Sequence, residues 1–338
     1  MTTQTAPPEA PTKQERRKLD EGVLRNLGLV GVLVLLIVVG IITKPDLYSD
    51  PTWVKNNFLT ILQQASAIGV VTVGMTFVII GGGIDLSVGA IIALAGVWAT
   101  TLATQSYGAG GMIFTALVVG IAVGLVNGVL ISYGKLVPFI ATLAMLVAAR
   151  GLAAQISAKQ TQVSANDTIN SLASERLLGI PLLVWILGLV VAAGWVLLNR
   201  TTFGRRTVAV GGNPEAARLA GINVKRHTML LYALSGLCCG IAAIMLTSQA
   251  TSAQAAMANL YELDAIAAAI IGGTLLSGGR GTIVGALFGV LVFSTITNLF
   301  AINNLSTEVQ NMVKGAIIVA AVLIQQFRYK SLTQLFKR

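Results

Sequence analysis

Apolar runs of about eighteen residues or more recur along the chain, each long enough to cross a hydrocarbon core roughly 30 Å thick. Backbone groups inside a bilayer must satisfy their own hydrogen bonds, so each run is read as a helix. Composition agrees: 55% of the 338 residues are hydrophobic and 11% charged, against about 25% charged in a soluble domain, and the mean hydropathy is +0.80. The expected fold is all-α, a polytopic membrane bundle of about ten transmembrane helices. Gly, Pro and charge clusters place the breaks, giving spans near 26–43, 58–80, 86–104, 110–132, 136–157, 181–198, 228–248, 263–276, 281–302 and 309–327. Gly81-Gly82-Gly83 and Gly272-Gly273 interrupt the pattern beside the spans at 86 and 263, which are therefore candidates for broken or re-entrant helices.

Ten alternating spans put most of the 23 Lys and Arg residues on one side. That side takes the two tails, Lys135, Arg280 and the 199–227 loop with Arg200, Arg205, Arg206, Arg218, Lys225 and Arg226. The other side keeps Lys44, Lys55, Lys159 and Arg176, while Arg150 and Lys314 lie within spans. By the positive-inside rule both termini are cytoplasmic. The expected organisation is a cytoplasmic tail over 1–25, disordered at its start, a transmembrane domain over 26–327 with a cytoplasmic loop at 199–227, and a basic cytoplasmic tail over 328–338. The first span lacks a small-x-small cleavage site and reads as an uncleaved anchor. The net charge of +10 follows from topology and gives no aromatic-laced patch for nucleic acid. Cys238 and Cys239 sit together in an apolar run and are read as packing residues, with no disulfide framework or metal spacing.

Gly120, Gly124 and Gly128 form one small-xxx-small row and Gly281, Gly285 and Gly289 another, both suited to close helix packing. Ile79-Ile80-Gly81-Gly82 resembles Ile270-Ile271-Gly272-Gly273, a faint internal repeat whose downstream offsets differ.

The 199–227 loop holds a self-contained short helix. Asn213 is an N-cap, Pro214 suits the first helical position, Glu215 complements the helix N-terminus, and Gly221 can end the helix in a left-handed conformation. The helix, Pro214, Glu215, Ala216, Ala217, Arg218, Leu219 and Ala220, is too short to persist alone in water. Two readings stay open: a surface helix resting on the bundle, or a docking element for a cytoplasmic partner.

Phe203-Gly204-Arg205-Arg206 followed by Gly211-Gly212-Asn213 through Ile222 resembles the cytoplasmic loop of the sugar-type ABC transporter permeases, the ribose permease family. Gly82-Gly83-Ile84-Asp85-Leu86-Ser87-Val88-Gly89 matches a second signature of that family, and Gly272-Gly273-Thr274 through Gly278-Gly279-Arg280-Gly281-Thr282 a third. The resemblance spans nearly the whole chain after the first helix. It implies a fold like that of type II ABC importers and a permease subunit of a prokaryotic inner membrane. The implied partners are a second permease copy, two cytoplasmic ATP-binding subunits and an external sugar-binding protein. In those terms 213–221 is the coupling helix, supported by Gly204, Arg205 and Arg206. Gly82, Gly83, Asp85, Ser87, Gly89, Asn127, Arg150, Gly272 and Gly273 are candidates for the translocation path.

The chain lacks a Walker A loop, since its one Gly-Lys dipeptide, Gly134-Lys135, is followed by Leu136. ATP and Mg are therefore expected on the partner ATPase, with no cofactor in this chain. Asp85 stands at a broken helix end, where it can cap the next helix or touch polar cargo. Arg150 allows a pore role or a structural one, capping carbonyls or pairing with a carboxylate. Lys314 is expected to snorkel and His227 to lie at the membrane interface. Gln63, Gln64, Asn127, Thr142 and Asn298 are candidate sugar contacts or interhelical ties. An ion-coupled secondary transporter, the alternative, needs carboxylates or histidines deep in its spans, and these are scarce. A membrane enzyme needs a catalytic constellation, and none is visible.

Overall fold

A computed structural model describes residues 21–335; of the two expected tails, residues 1–20 and 336–338 lie outside the described residues. The chain opens with α1 (Glu21–Thr43), α2 (Pro45–Tyr48), α3 (Pro51–Ile80), α4 (Val88–Ala99) and α5 (Leu102–Gln105). It continues through α6 (Gly108–Ser132), α7 (Pro138–Ile156), α8 (Asp167–Ser171), α9 (Leu182–Arg200) and α10 (Thr202–Gly212). It closes with α11 (Pro214–Leu219), α12 (Val224–Ala250), α13 (Tyr261–Ile271), α14 (Ile283–Ile302) and α15 (Thr307–Leu335). Four two-residue strands tie loops: β1 (Gln162–Val163) pairs antiparallel with β4 (Ser252–Ala253), and β2 (Arg176–Leu177) with β3 (Ile180–Pro181).

Among the described residues, seven helices are long and apolar enough to cross a membrane: the part of α1 from Asn26, then α3, α6, α7, α9, α12 and α14. They account for seven of the ten expected spans. The span expected at 86–104 is instead the 12-residue α4 followed by the short α5, and that at 263–276 is the 11-residue α13. At about 1.5 Å per residue neither reaches across a bilayer. The last expected span, 309–327, falls within α15.

The core is built round α3 and α4. The 30-residue α3 starts where Asp50 accepts a hydrogen bond from the Thr52 amide and Pro51 takes the first turn. Its membrane segment is 89% buried, against 11% for α1, whose Leu35 and Ile42 face outward as they can in lipid. Every residue of α4 is buried except Trp98. A helix apolar all round needs neighbours on every side, and α4 has them in α6, α7, α12 and α13.

Among the described residues the most extensive helix contact is α6 on α12. A Cβ on Gly120 would strike the Gly236 carbonyl, and one on Gly124 the Tyr232 carbonyl; Gly128 faces the Met229 backbone. The row on α6 thus meets a matching one, Gly236 and Gly240, which sequence alone did not single out. In the second row, Gly289 presses on the α13 backbone at Ala268 and Gly285 on Gly272 just beyond its end, but Gly281 precedes α14 and packs on the Ile80 side chain. Cys238 and Cys239 are free thiols buried in the core, as packing residues should be.

Candidate coupling site

The segment between α9 and α12 contains two helices where the sequence suggested one. α10 was hidden because Thr202–Gly212 is rich in glycine and β-branched residues, poor helix formers both. The signal that could have found it is the spacing of Gly204, Thr207 and Val210, which form its buried side after the Thr201 cap. Phe203 stacks near Phe77 of α3 and His227 of α12, at ring-centroid distances of 6.1 and 4.6 Å. His227, in the first turn of α12, is buried, with Nε2 2.9 Å from Thr207 Oγ1. It fastens α10 to α12.

α11 rests mainly on α10 and takes the form its sequence dictates. Asn213 Oδ1 accepts from the amides of Glu215 and Ala216 at 3.1 and 3.0 Å, and Pro214 fills the first position. At the other end Gly221 is left-handed at φ +80°, with its amide on the Arg218 carbonyl and that of Ile222 on the Ala217 carbonyl. Arg218 pairs with Glu215 through bonds of 2.5 and 3.1 Å and holds that carboxyl below the usual range. Both side chains are exposed, so the pair adds little stability. Ala217 is buried against the bundle, while Leu219 is 75% exposed, an apolar side chain directed away from it. Gly204 is buried against the Leu198 carbonyl, whereas Arg205 and Arg206 are exposed.

The three glycine segments converge beside α11. α3 ends with the Gly82 amide on the Ile79 carbonyl and the Gly83 amide on Val78; α13 ends with the Gly273 amide on Ile270 and the Thr274 amide on Ala269. Each closure places a glycine at positive φ, Gly82 at +84° and Gly273 at +86°. The faint Ile-Ile-Gly-Gly repeat is thus one helix-ending motif used twice. The Gly279 amide donates to the Ile80 carbonyl at 2.8 Å, and a Cβ on Gly211 would collide with that same carbonyl. Main chain from 80–82, 211–212 and 278–279 therefore meets at one point.

Beyond that junction lies a buried polar network. Asp85 Oδ1 accepts from the Ser87 amide and hydroxyl at 3.0 and 2.6 Å, and Oδ2 from Ser235 at 3.0 Å. Asn127 Nδ2 donates to Ser87 Oγ at 2.8 Å, and Tyr232 and Thr142 donate to the Ile84 carbonyl. The carboxyl group sits just ahead of α4 and binds the amide and hydroxyl of Ser87, the residue before the first helical one. Ser235 and Tyr232 escaped the sequence reading because α12 meets this segment only through tertiary packing.

The remaining candidates stand apart from this network. Gly89 leaves room for the Ala258 carbonyl and the Glu262 carboxylate, and Gly272 for the Gly285 backbone. Arg150 donates to the carbonyls of Ala255 and Met257 at 2.6 and 3.0 Å, the structural option of its two. Gln63 binds the Ala173 carbonyl and Asn298 binds Asn57 of α3, both as ties between segments, while Gln64 is exposed.

Lys314, expected to snorkel, instead pairs with Asp264 at 3.2 Å and lies over the Phe293 ring. Both partners are less than one-fifth exposed, so Lys314→Met should lower stability by about 3 kcal/mol by leaving Asp264 unpaired. Thermal unfolding in detergent checks this, and the double variant Lys314→Met/Asp264→Leu should recover most of the loss.

A family model described as a branched-chain amino acid transport system permease component matches residues 57–322. The ribose import permease protein RbsC of Bacillus subtilis (strain 168) is 40% identical over 318 residues, covering 93% of this chain and 97% of that protein. The protein of the same name from Escherichia coli (strain K12) is 37% identical over 330 residues, covering 96% and 98%. The L-arabinose ABC transporter permease protein AraH of Azospirillum brasilense is 36% identical over 308 residues, covering 90% and 89%. No solved structure matches the chain. Matched over most of its length and similar to these import permeases nearly end to end, the chain belongs to the branched-chain amino acid transport system permease family.

Proposed function

We propose that the chain is the membrane-spanning permease subunit of an ATP-driven importer of ribose or a related monosaccharide. It pairs with a second permease, receives sugar from an external binding protein, and rests on two cytoplasmic subunits that hold ATP and Mg. Ten membrane segments make up the domain, α4 and α13 being partial ones flanked by irregular backbone buried in protein. The Lys and Arg asymmetry supports a cytoplasmic position for both termini and the 199–227 segment in a prokaryotic cell. The likeness to sugar import permeases supports the cargo class.

One observation carries the coupling mechanism: α11 is capped at both ends, buried on Ala217 and exposed at Leu219. A short, rigid, outward-facing helix suits docking in a groove of an ATPase, whose closure then moves the spans as rigid bodies. An ion-coupled mechanism needs acidic groups free to exchange a proton; Asp85 is held by donors and Asp264 by Lys314, which leaves Glu262, buried beside Gly89, as the acidic group such a mechanism would have to use.

The test is uptake of labelled ribose, arabinose and galactose in cells depleted of ATP with the proton gradient kept. Uptake should stop, and continued uptake overturns the ATP-driven reading. Leu219→Asp should lower uptake by about tenfold or more with the membrane fold unchanged, because the side chain it replaces is mostly exposed. Normal uptake and normal co-purification of the ATPase in that variant would remove the docking role.

A further inference from the structure

The geometry points to the junction of Gly82, Gly211 and Gly279 as the place where motion of α11 enters the membrane core, which makes Gly211 a positioning residue for transport. This rests on the reading of α11 as the ATPase-docking helix and names the route that its displacement takes.

Two routes leave α11. Toward the N-terminus, Asn213 follows directly on Gly212, so the cap of α11 and the junction share adjacent residues. Toward the C-terminus, Gly221 and Ile222 lead through the Asn223 cap into α12. The first route ends on rigid contacts. At Gly211 the main chain lies against the Ile80 carbonyl, which is itself bonded to the Gly279 amide. Side chains can absorb a displacement by changing rotamer, whereas backbone held against backbone has no such freedom.

The junction also touches both places where the bundle is broken. Gly82 belongs to the closure of α3 and lies a few residues from Asp85 and Ser87, whose bonds to Ser235 and Asn127 bind the start of α4 to α12 and α6. Gly278 and Gly279 belong to the segment joining α13 to α14. A push on α11 thus reaches the head of α4 and the α13–α14 break together. The neighbouring Gly212 makes a sharp contrast, since a Cβ there meets nothing within 4 Å.

The experiment uses the full complex with its ATPase and binding protein in proteoliposomes, and whichever of the three sugars the wild type carries. Gly211→Ala should keep the ATPase bound and hydrolysing within about twofold, yet lower uptake by about tenfold or more. Gly188→Ala on α9, outside the junction and with nothing within 4 Å of its Cβ, should carry sugar within about twofold of wild type. Two insertions, each of two glycines, decide the matter should Gly211→Ala fail to fold. Placed between Gly212 and Asn213, the insertion should abolish uptake with ATP hydrolysis retained; placed between Ile222 and Asn223, it should leave uptake near normal. Normal uptake with the first insertion, or equal loss with both, overturns the proposed route. Should Leu219→Asp remain inactive in that case, only the route falls; should Leu219→Asp transport normally, the docking reading falls with it.

Discussion

Gly124→Val is expected to leave almost no folded permease in the membrane. A Cβ at this position would strike the Tyr232 carbonyl and lie 3.1 Å from the Gly236 Cα, and valine adds two methyl groups beyond it. Retreat of α12 from α6 is blocked, because α12 is packed in turn on α3 and α4, the two most buried helices. Forcing single methylenes into a packed core already costs about 1–3 kcal/mol. Here the obstacle is backbone on a helix fixed from behind, and interhelical packing is the main force joining helices in lipid. Gly188→Val on α9 is the control, since a Cβ there meets nothing within 4 Å. Expression level and monodispersity in detergent are the measurements. Equal yields of folded protein from the two variants would show that the glycine rows do not hold the bundle together.

The same contact marks how far the sequence could be read. Long apolar spans were legible because length and hydropathy alone determine them, and one of the two facing glycine rows was visible from its spacing. Its partner, Gly236 and Gly240, was not, because a row of two carries little signal until another helix is set against it. The glycine-broken helices were visible as interruptions, but their true lengths depend on contacts remote in sequence. The Ile80 carbonyl that ends α3 is satisfied by the Gly279 amide, nearly two hundred residues on. α11 could be read almost residue by residue, since caps and turns are local chemistry. α10, beside it, could not, because its helix is imposed by packing against its composition. Lys314 was misread for a related reason: its partner Asp264 lies on a different helix, and only the tertiary fold brings the two together.

Asp85→Ala should destabilise the permease strongly, whereas Asp85→Asn should be nearly silent. The carboxylate is buried and accepts three hydrogen bonds, from the Ser87 amide, the Ser87 hydroxyl and the Ser235 hydroxyl. Alanine strands these donors in the core, at about 1–3 kcal/mol for each one left unsatisfied, and removes the side chain that holds the turn ahead of α4. Asparagine keeps the oxygen that serves Ser87, and its amide can donate to the Ser235 hydroxyl, which is free to turn and accept. Thermal unfolding and sugar uptake of the two variants separate a cap from a cargo contact. If Asp85 acts through its charge on the translocating sugar, Asp85→Asn will lose uptake while unfolding as wild type does, and the capping account will be wrong. If Asp85 is a cap, the two variants will order the same way in both measurements, because uptake then follows the integrity of the α4 start. That start is tied to α6 through Asn127 and to α12 through Ser235, so a loss there loosens the glycine-packed α6–α12 pair along with α4.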